Sequence, residues 1–248
     1  MPPVALITGA GRGIGAATAL ALAREGWSLM LSWHRDEAAC ESVAAQARAL
    51  GVRAEVRRCD VSIDAEVGAL FAHCDAVLGV PGAVVANAGI VDVVARVDAI
   101  DRARLERMFA TNVFGAFACA REAVRRMSTR HGGAGGTIVL LSSAAARLGA
   151  PGEYVDYAAA KAAVDALAIG LGKEVAAEGV RVVGVRPGLI DTEIHASGGR
   201  PDRLRTLAPA VPMQRGGTAG EVAETIAWLV SARASYVTAT LVDVTGGR

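Results

Sequence analysis

Short runs of apolar and β-branched residues alternate along the chain with longer stretches in which apolar positions recur every three or four residues. The short runs, residues 4–8, 28–33, 53–57, 83–86, 137–141, 181–185 and 241–244, read as strands. Each except the last is followed by a helix-length stretch, at 14–25, 36–50, 64–78, 102–130, 155–178 and 219–231. In the first of these, Ile14, Ala17, Ala21 and Leu22 fall on one face. Segments such as GAVVA, TIVLL and VRVVGV are apolar at successive positions, as expected of strands covered by helices on both sides. The pattern predicts a Rossmann-type α/β fold: a doubly wound parallel sheet of seven strands with helices on both faces. A chain of 248 residues fits this as one domain.

Residues 187–217 depart from the alternation, with several prolines, two Gly-Gly pairs and little periodicity. A connection of that length directly after a strand predicts a substrate lid. The stretch HGGAGG, residues 131–136, reads as a surface loop closing the preceding long helix.

Composition narrows the function classes. At 52% hydrophobic and 21% charged residues, the chain is neither disordered nor a disulfide-stapled miniprotein. Its 26 basic and 25 acidic side chains leave a net charge of +1, so no global field attracts nucleic acid or an anionic membrane. There is no basic leader and no uninterrupted apolar run of membrane length. The isolated Cys40, Cys59, Cys74 and Cys119 read as buried free thiols, and a cytoplasmic location is expected. His34, His73, His131 and His195 share no metal-ligand spacing, and no metal is expected.

The chemistry-bearing segments begin with TGAGRGIG, covering Thr8, Gly9, Gly11, Arg12, Gly13, Ile14 and Gly15. The turn sits where the first strand hands over to the first helix. Backbone amides at that helix N-terminus can meet a pyrophosphate, and the glycines let it approach. At the end of the second strand the chain reads Ser32, Trp33, His34, Arg35, with no carboxylate until Asp36. An acidic partner for an adenosine ribose hydroxyl is therefore missing at its usual place, and Arg35 with Arg12 could pair instead with a 2′-phosphate. The expected cofactor is NADP, with NADPH preferred and NAD possible.

Tyr157 and Lys161 are four residues apart at the start of a predicted helix, so both side chains lie on one face. The chain has 24 arginines but only two lysines and three tyrosines, and a chance Tyr-x-x-x-Lys is expected roughly 0.02 times. A compact ammonium can sit beside a phenol and a ribose where a planar guanidinium cannot. It would also favour phenolate, which makes Tyr157 a candidate proton donor and acceptor.

With these motifs the chain resembles the short-chain dehydrogenase/reductase family in its compact single-domain branch, over essentially its whole length. The resemblance implies a cofactor half-site of the TGxxxGIG turn, Asp60 and Val61 from CDV, and Asn87, Ala88 and Gly89 from NAG. Trp33 and His34, beside Arg35, would complete its adenosine end. It implies a catalytic set of Asn112, Ser143, Tyr157 and Lys161. In that set Ser143 hydrogen-bonds the reacting oxygen and Asn112 holds a water linking Lys161 to solvent. Lys161 binds the nicotinamide ribose and depresses the tyrosine pKa. Pro187, Gly188, Ile190 and Thr192 would face the carboxamide. Leu189, Ile190 and His195 would close over substrate opposite Glu153 and Tyr154.

The interval from serine to tyrosine is one residue longer than in many relatives. Anchoring on the strand selects Ser143, with Ser142 as the alternative. Thr238-Ala239 stands where a Thr-Gly is frequent. The function implied is oxidoreduction between nicotinamide and a carbonyl or secondary alcohol, whether a 3-oxoacyl thioester, a sugar or another small molecule. A non-catalytic cofactor-binding regulator on the same fold is the alternative. A homotetramer or homodimer built on the long helices at 102–130 and 155–178 is implied as well.

Overall fold

The computed structural model describes residues 2–248, without the side chain of His195. In chain order the elements are β1 (Val4–Ile7), α1 (Gly13–Arg24), β2 (Ser28–Trp33), α2 (Glu37–Ala49), β3 (Ala54–Arg58), α3 (Asp64–Val77), β4 (Ala83–Ala86), α4 (Arg102–Phe109), α5 (Gly115–Met127), β5 (Gly136–Leu141), α6 (Ala145–Leu148), α7 (Val155–Val175), β6 (Val180–Pro187), β7 (Ile190–Asp191), α8 (Ile194–Ser197), α9 (Arg203–Leu207), β8 (Gly217–Thr218), α10 (Ala219–Val230) and β9 (Thr240–Val244).

Seven strands form one parallel sheet in the order β3-β2-β1-β4-β5-β6-β9. Strand residues alternate strictly between two cores. Ala5, Ile7, Leu29, Leu31, Val139 and Val183 pack in the layer shared with α1, α2 and α10. Val4, Leu6, Met30, Ile138, Leu140 and Val182 pack in the layer shared with α3, α5 and α7. Burial on both faces is why these strands read as continuous apolar runs rather than as alternating ones. The strand order reverses between β1 and β4, and the crevice beyond their carboxyl ends is where ligands of such sheets bind.

Two departures from the sequence expectation matter for the site. The predicted helix over 102–130 is not continuous: α4 and α5 are joined by a π-helical turn, Ala110–Phe114, with Asn112 at its centre. The Asn112 amide donates to the Met108 carbonyl four residues back, at 3.0 Å. It thus takes the acceptor that a regular helix would give to the backbone N–H. At the other end of the fold Ala239 adopts φ +52°, a left-handed conformation that glycine occupies without strain, which accounts for the glycine frequent at that place.

The segment predicted as a lid is pinned at both ends. β7 pairs with β8 through Ile190 with Gly217 and Asp191 with Thr218. The intervening residues carry the short helices α8 and α9. Among the described residues no helix is long and apolar enough to cross a membrane.

Candidate active site

The glycine turn leads from β1 into α1. Gly9 and Gly13 have φ of +65° and +54°, backbone that L side chains rarely adopt. Gly15 is fixed by space instead, since a Cβ there would lie 2.4 Å from the Gly9 carbonyl oxygen and 2.6 Å from the Asn87 amide nitrogen. Asn87 ties the turn to the end of β4, its Nδ2 donating to the carbonyls of Thr8 at 2.8 Å and Gly9 at 3.0 Å. The Thr8 hydroxyl in turn accepts from the amides of Asn87 and Ala88. No side chain caps α1, so its first amides stay open toward the crevice. Across the turn the nearest atom to a Cβ at Gly13 would be the Thr192 methyl, at 3.3 Å, which brings the start of the lid over the glycine loop. These features fit a dinucleotide: a cradle with no room for side chains, open helix amides, and a wall opposite.

At the adenosine end Arg12 and Arg35 are exposed, and neither has an ion-pair partner among the described residues. Asp36 is committed elsewhere, its Oδ1 accepting the Ala39 amide as the N-cap of α2. Trp33 packs its ring against the core. Asp60 faces His34, with 3.3 Å between Oδ2 and Nε2. Burial pushes the Asp60 carboxyl up, but the hydroxyl and amide of Ser62 and the nearby His34 more than offset it, and its pKa lies below the ordinary value. Val61 is buried against Gly115, behind the same crevice.

Tyr157 and Lys161 lie one turn apart on α7, with Nζ of Lys161 5.7 Å from the Tyr157 ring centre. Lys161 is buried, and Nζ donates to the Leu141 carbonyl at 2.6 Å. Burial pushes its pKa down to about 8, with the charge of Asp165 opposing the shift. Burial raises the Tyr157 pKa, and a hydrogen bond with Ser143 only partly offsets that. The Lys161 ammonium is committed to the Leu141 carbonyl, and burial rather than Lys161 sets the direction of the phenol's shift. The two serines separate cleanly. Ser142 is buried and its hydroxyl donates to the Lys161 backbone carbonyl at 3.0 Å, whereas the Ser143 hydroxyl reaches the phenol and accepts the Ala145 amide.

Asn112 is also brought into this group. Its Nδ2 donates to the Ile90 carbonyl and its Oδ1 accepts the Ile90 amide, so the loop after β4 is held against the π turn. A Cβ on Gly89 would come within 2.7 Å of the Asn112 oxygen and 3.4 Å of the Lys161 nitrogen. A small cavity lined by Thr8, Ala88, Asn112, Cys119 and Lys161 sits beneath them. At the strand end Pro187 accepts the Ala144 amide, and the Gly188 amide donates to the Val244 carbonyl.

Four residues expected to face substrate are packed or paired within the protein. Leu189 and Ile190 are buried, Ile190 in the core. Glu153 and Tyr154 hold the lid down. Glu153 pairs with Arg203 at 2.6 Å and Arg200 at 3.4 Å, while the Tyr154 hydroxyl donates to the Gly198 carbonyl and its ring lies under the Arg203 guanidinium. His195 as a substrate contact falls on a side chain outside the described residues.

One element of the site escaped the sequence reading. Asp156, next to Tyr157, has a side chain with no exposed surface and receives two hydrogen bonds from Arg104, at 2.7 and 3.2 Å. Arg104 also donates to the Val93 carbonyl at 2.7 Å, joining α4, the first turn of α7 and the loop after β4. The available signal is positional: Arg104, Met108 and Asn112 recur at four-residue intervals on the buried face.

Comparison with known proteins gives concordant matches. Residues 9–248 match the family described as enoyl-(acyl carrier protein) reductase. The uncharacterized oxidoreductase YgfF of Escherichia coli (strain K12) is 48% identical over 245 residues, 99% of this chain and 99% of that protein. Cis-4-hydroxycyclohexanecarboxylate dehydrogenase of Sinomonas cyclohexanicum is 38% identical over 247 residues, 98% of this chain and 95% of that protein. The structure of a short-chain type dehydrogenase/reductase from Mycobacterium marinum superposes with a TM-score of 0.92 at 33% identity, covering 99% of this chain and 94% of that one.

Proposed function

Because the chain belongs to the short-chain dehydrogenase/reductase family of oxidoreductases, we propose that it is an NADP-dependent enzyme interconverting a small carbonyl compound and its alcohol, with Tyr157 as general acid and base. The observation that carries this reading is the convergence of Tyr157, Ser143, Lys161 and Asn112 beside the glycine crevice. A binding module has no use for a buried lysine one turn below a phenol.

When bound, the nicotinamide supplies or accepts the hydride. The chain's own residues handle the oxygen. The Ser143 hydroxyl fixes it where charge develops, and the neutral Tyr157 phenol gives it a proton during carbonyl reduction. In the reverse direction the phenol must first lose its proton, so oxidation is favoured at alkaline pH. Lys161 holds the nicotinamide ribose, Asn112 fixes the loop carrying Gly89 and a water beside Lys161, and Thr192 stands over the pyrophosphate turn. Pro187, Gly188 and Ile190 contribute backbone toward the carboxamide. The uncommitted Arg12 and Arg35 favour a 2′-phosphate, because each guanidinium can make charge-assisted bonds to it.

The proposal extends to one domain with residues 187–217 as a substrate lid. It also includes a cytoplasmic location, consistent with four buried free thiols. A homotetramer or homodimer is supported by the exposed Leu105, Phe114 and Phe117 on α4 to α5 and the exposed Val155 on α7.

The test is nicotinamide absorbance with cyclic ketones, β-keto thioesters, sugars and secondary alcohols, run with NADP(H) and NAD(H) in parallel. Turnover on one class with NADP(H) favoured supports the reading. Cofactor binding without turnover on any class counts against it.

A further inference from the structure

Tyr157 sits in the part of α7 with the least support of its own. It is the third residue of the helix, the N-cap Tyr154 offers no side-chain cap, and the Ala158 amide bonds back to the Tyr154 carbonyl at 2.9 Å. The amides before Ala158, including that of Tyr157, have no partner inside the helix, and an uncapped first turn is where a helix frays. The neighbouring α4 is built differently: Asp101 caps it, its Oδ1 accepting the Arg104 amide at 2.7 Å. Later turns of α7 also have an anchor, Asp165, which accepts from Arg186 on β6 at 3.0 and 2.7 Å.

The first turn of α7 is held from the side. Arg104 Nε and Nη2 donate to the two oxygens of Asp156, and the two side chains are 7% and 0% exposed. Such a fork fixes direction as well as distance. Arg104 Nη1 donates to the Val93 carbonyl, and further along the same face Asn112 holds Ile90 through both its amide and its carbonyl. Residues 90–93 are therefore clamped at both ends from one helix face. Between the clamps they meet the lid: a Cβ on Gly198 would lie 3.1 Å from a Val91 methyl and 3.4 Å from the Asp92 carbonyl oxygen.

We propose that Arg104 is a positioning residue which, through Asp156 and the Val93 carbonyl, sets the placement of the Tyr157 phenol against the loop and lid around the substrate. This rests on the reading of Tyr157 as the proton-transfer group. Apolar residues often replace a buried ion pair without loss of stability, but apolar contact admits several arrangements where a bidentate guanidinium admits one. What the pair supplies is then local order in the first turn. Proton transfer depends on that order, since a misplacement of about 1 Å can cost about 100-fold in rate.

The double variant Arg104→Met/Asp156→Leu removes both charges. In hydrogen exchange of the protein without substrate or cofactor, the amides of residues 158–161 should exchange at least about tenfold faster than in the parent, and those of 168–175 at the parent's rate. On the substrate class found in the panel, kcat should fall about 10- to 100-fold while cofactor affinity stays within about threefold. Arg104→Lys leaves a cation beside Asp156 but removes the fork, so it leaves no buried charge alone and should show the same changes if the double variant does not fold.

Unchanged exchange at 158–161 in whichever variant folds overturns the proposal. So does faster exchange at 158–161 and 168–175 alike, which marks a purely structural role, and so does faster local exchange with kcat unchanged while Tyr157→Phe is inactive. If Tyr157→Phe is active, the assignment of Tyr157 fails instead, and the exchange result still reads whether Arg104 orders the turn.

Discussion

The ammonium of Lys161 lies 5.7 Å from the centre of the Tyr157 ring, yet its hydrogen bond goes to the Leu141 carbonyl at 2.6 Å. Lys161 is thus held beside the phenol by the sheet, at the cost of desolvating its charge, with its pKa pushed down to about 8.

That cost makes a stability prediction with a definite sign. Between pH 8 and the unfolded value of 10.5 the unfolded chain binds more protons than the folded one, so this group's penalty is full below pH 8 and fades as pH rises through that window. The penalty corresponds to about 3 kcal/mol, against about 1 kcal/mol for the hydrogen bond to Leu141. Lys161→Met should therefore be inactive but more stable at pH 7, by about 1–2 kcal/mol, with the gain shrinking toward pH 10.5. Urea unfolding at several pH values measures it. A variant less stable than the parent at pH 7 contradicts the account.

Arg104 and Asp156 predict the opposite behaviour. Removing one partner leaves a buried charge alone, so Arg104→Met should cost about 3–5 kcal/mol. The double variant Arg104→Met/Asp156→Leu should recover most of that loss. Equal destabilisation of single and double variants in denaturant unfolding would mean that packing, not charge, holds the first turn of α7.

Glu153 bridges Arg200 and Arg203 across the lid. Glu153→Gln should leave global stability within about 1 kcal/mol, because the pairs are partly solvated. It should speed tryptic cleavage at those arginines severalfold by letting the segment between β7 and β8 open more often. An unchanged cleavage rate would show that the ion pairs do not hold the lid.

Arg35→Ala should weaken NADPH binding about 10- to 100-fold, the equivalent of one or two charge-assisted hydrogen bonds, and NADH binding by less than about threefold. Fluorescence titration with both cofactors reads this. An equal loss for both removes Arg35 from phosphate recognition.

What was legible in the sequence followed from local pattern. Strands buried on both faces announce themselves as runs such as TIVLL, and the glycine turn is readable because Gly9, Gly13 and Gly15 each meet a constraint set by near neighbours. Tyr157 and Lys161 stood out because the chain otherwise uses arginine. The break at Asn112 was not legible, because helical periodicity continues through it and only the side chain's bond to the Met108 carbonyl interrupts the backbone ladder. The partners of Asp156 and Asp165 lie 52 and 21 positions away, so their pairing exists only once α4 and β6 pack against α7. Likewise, Glu153 and Tyr154 could be read as facing a substrate because the lid arginines that engage them are distant in sequence.

The most direct test of the central claim is Tyr157→Phe, which removes the phenolic oxygen and little else. Cofactor affinity should stay within a few fold of the parent, while kcat on the substrate class found in the panel falls by about 10³-fold or more. Turnover retained within about tenfold of the parent would contradict the assignment of Tyr157 as the proton-transfer group.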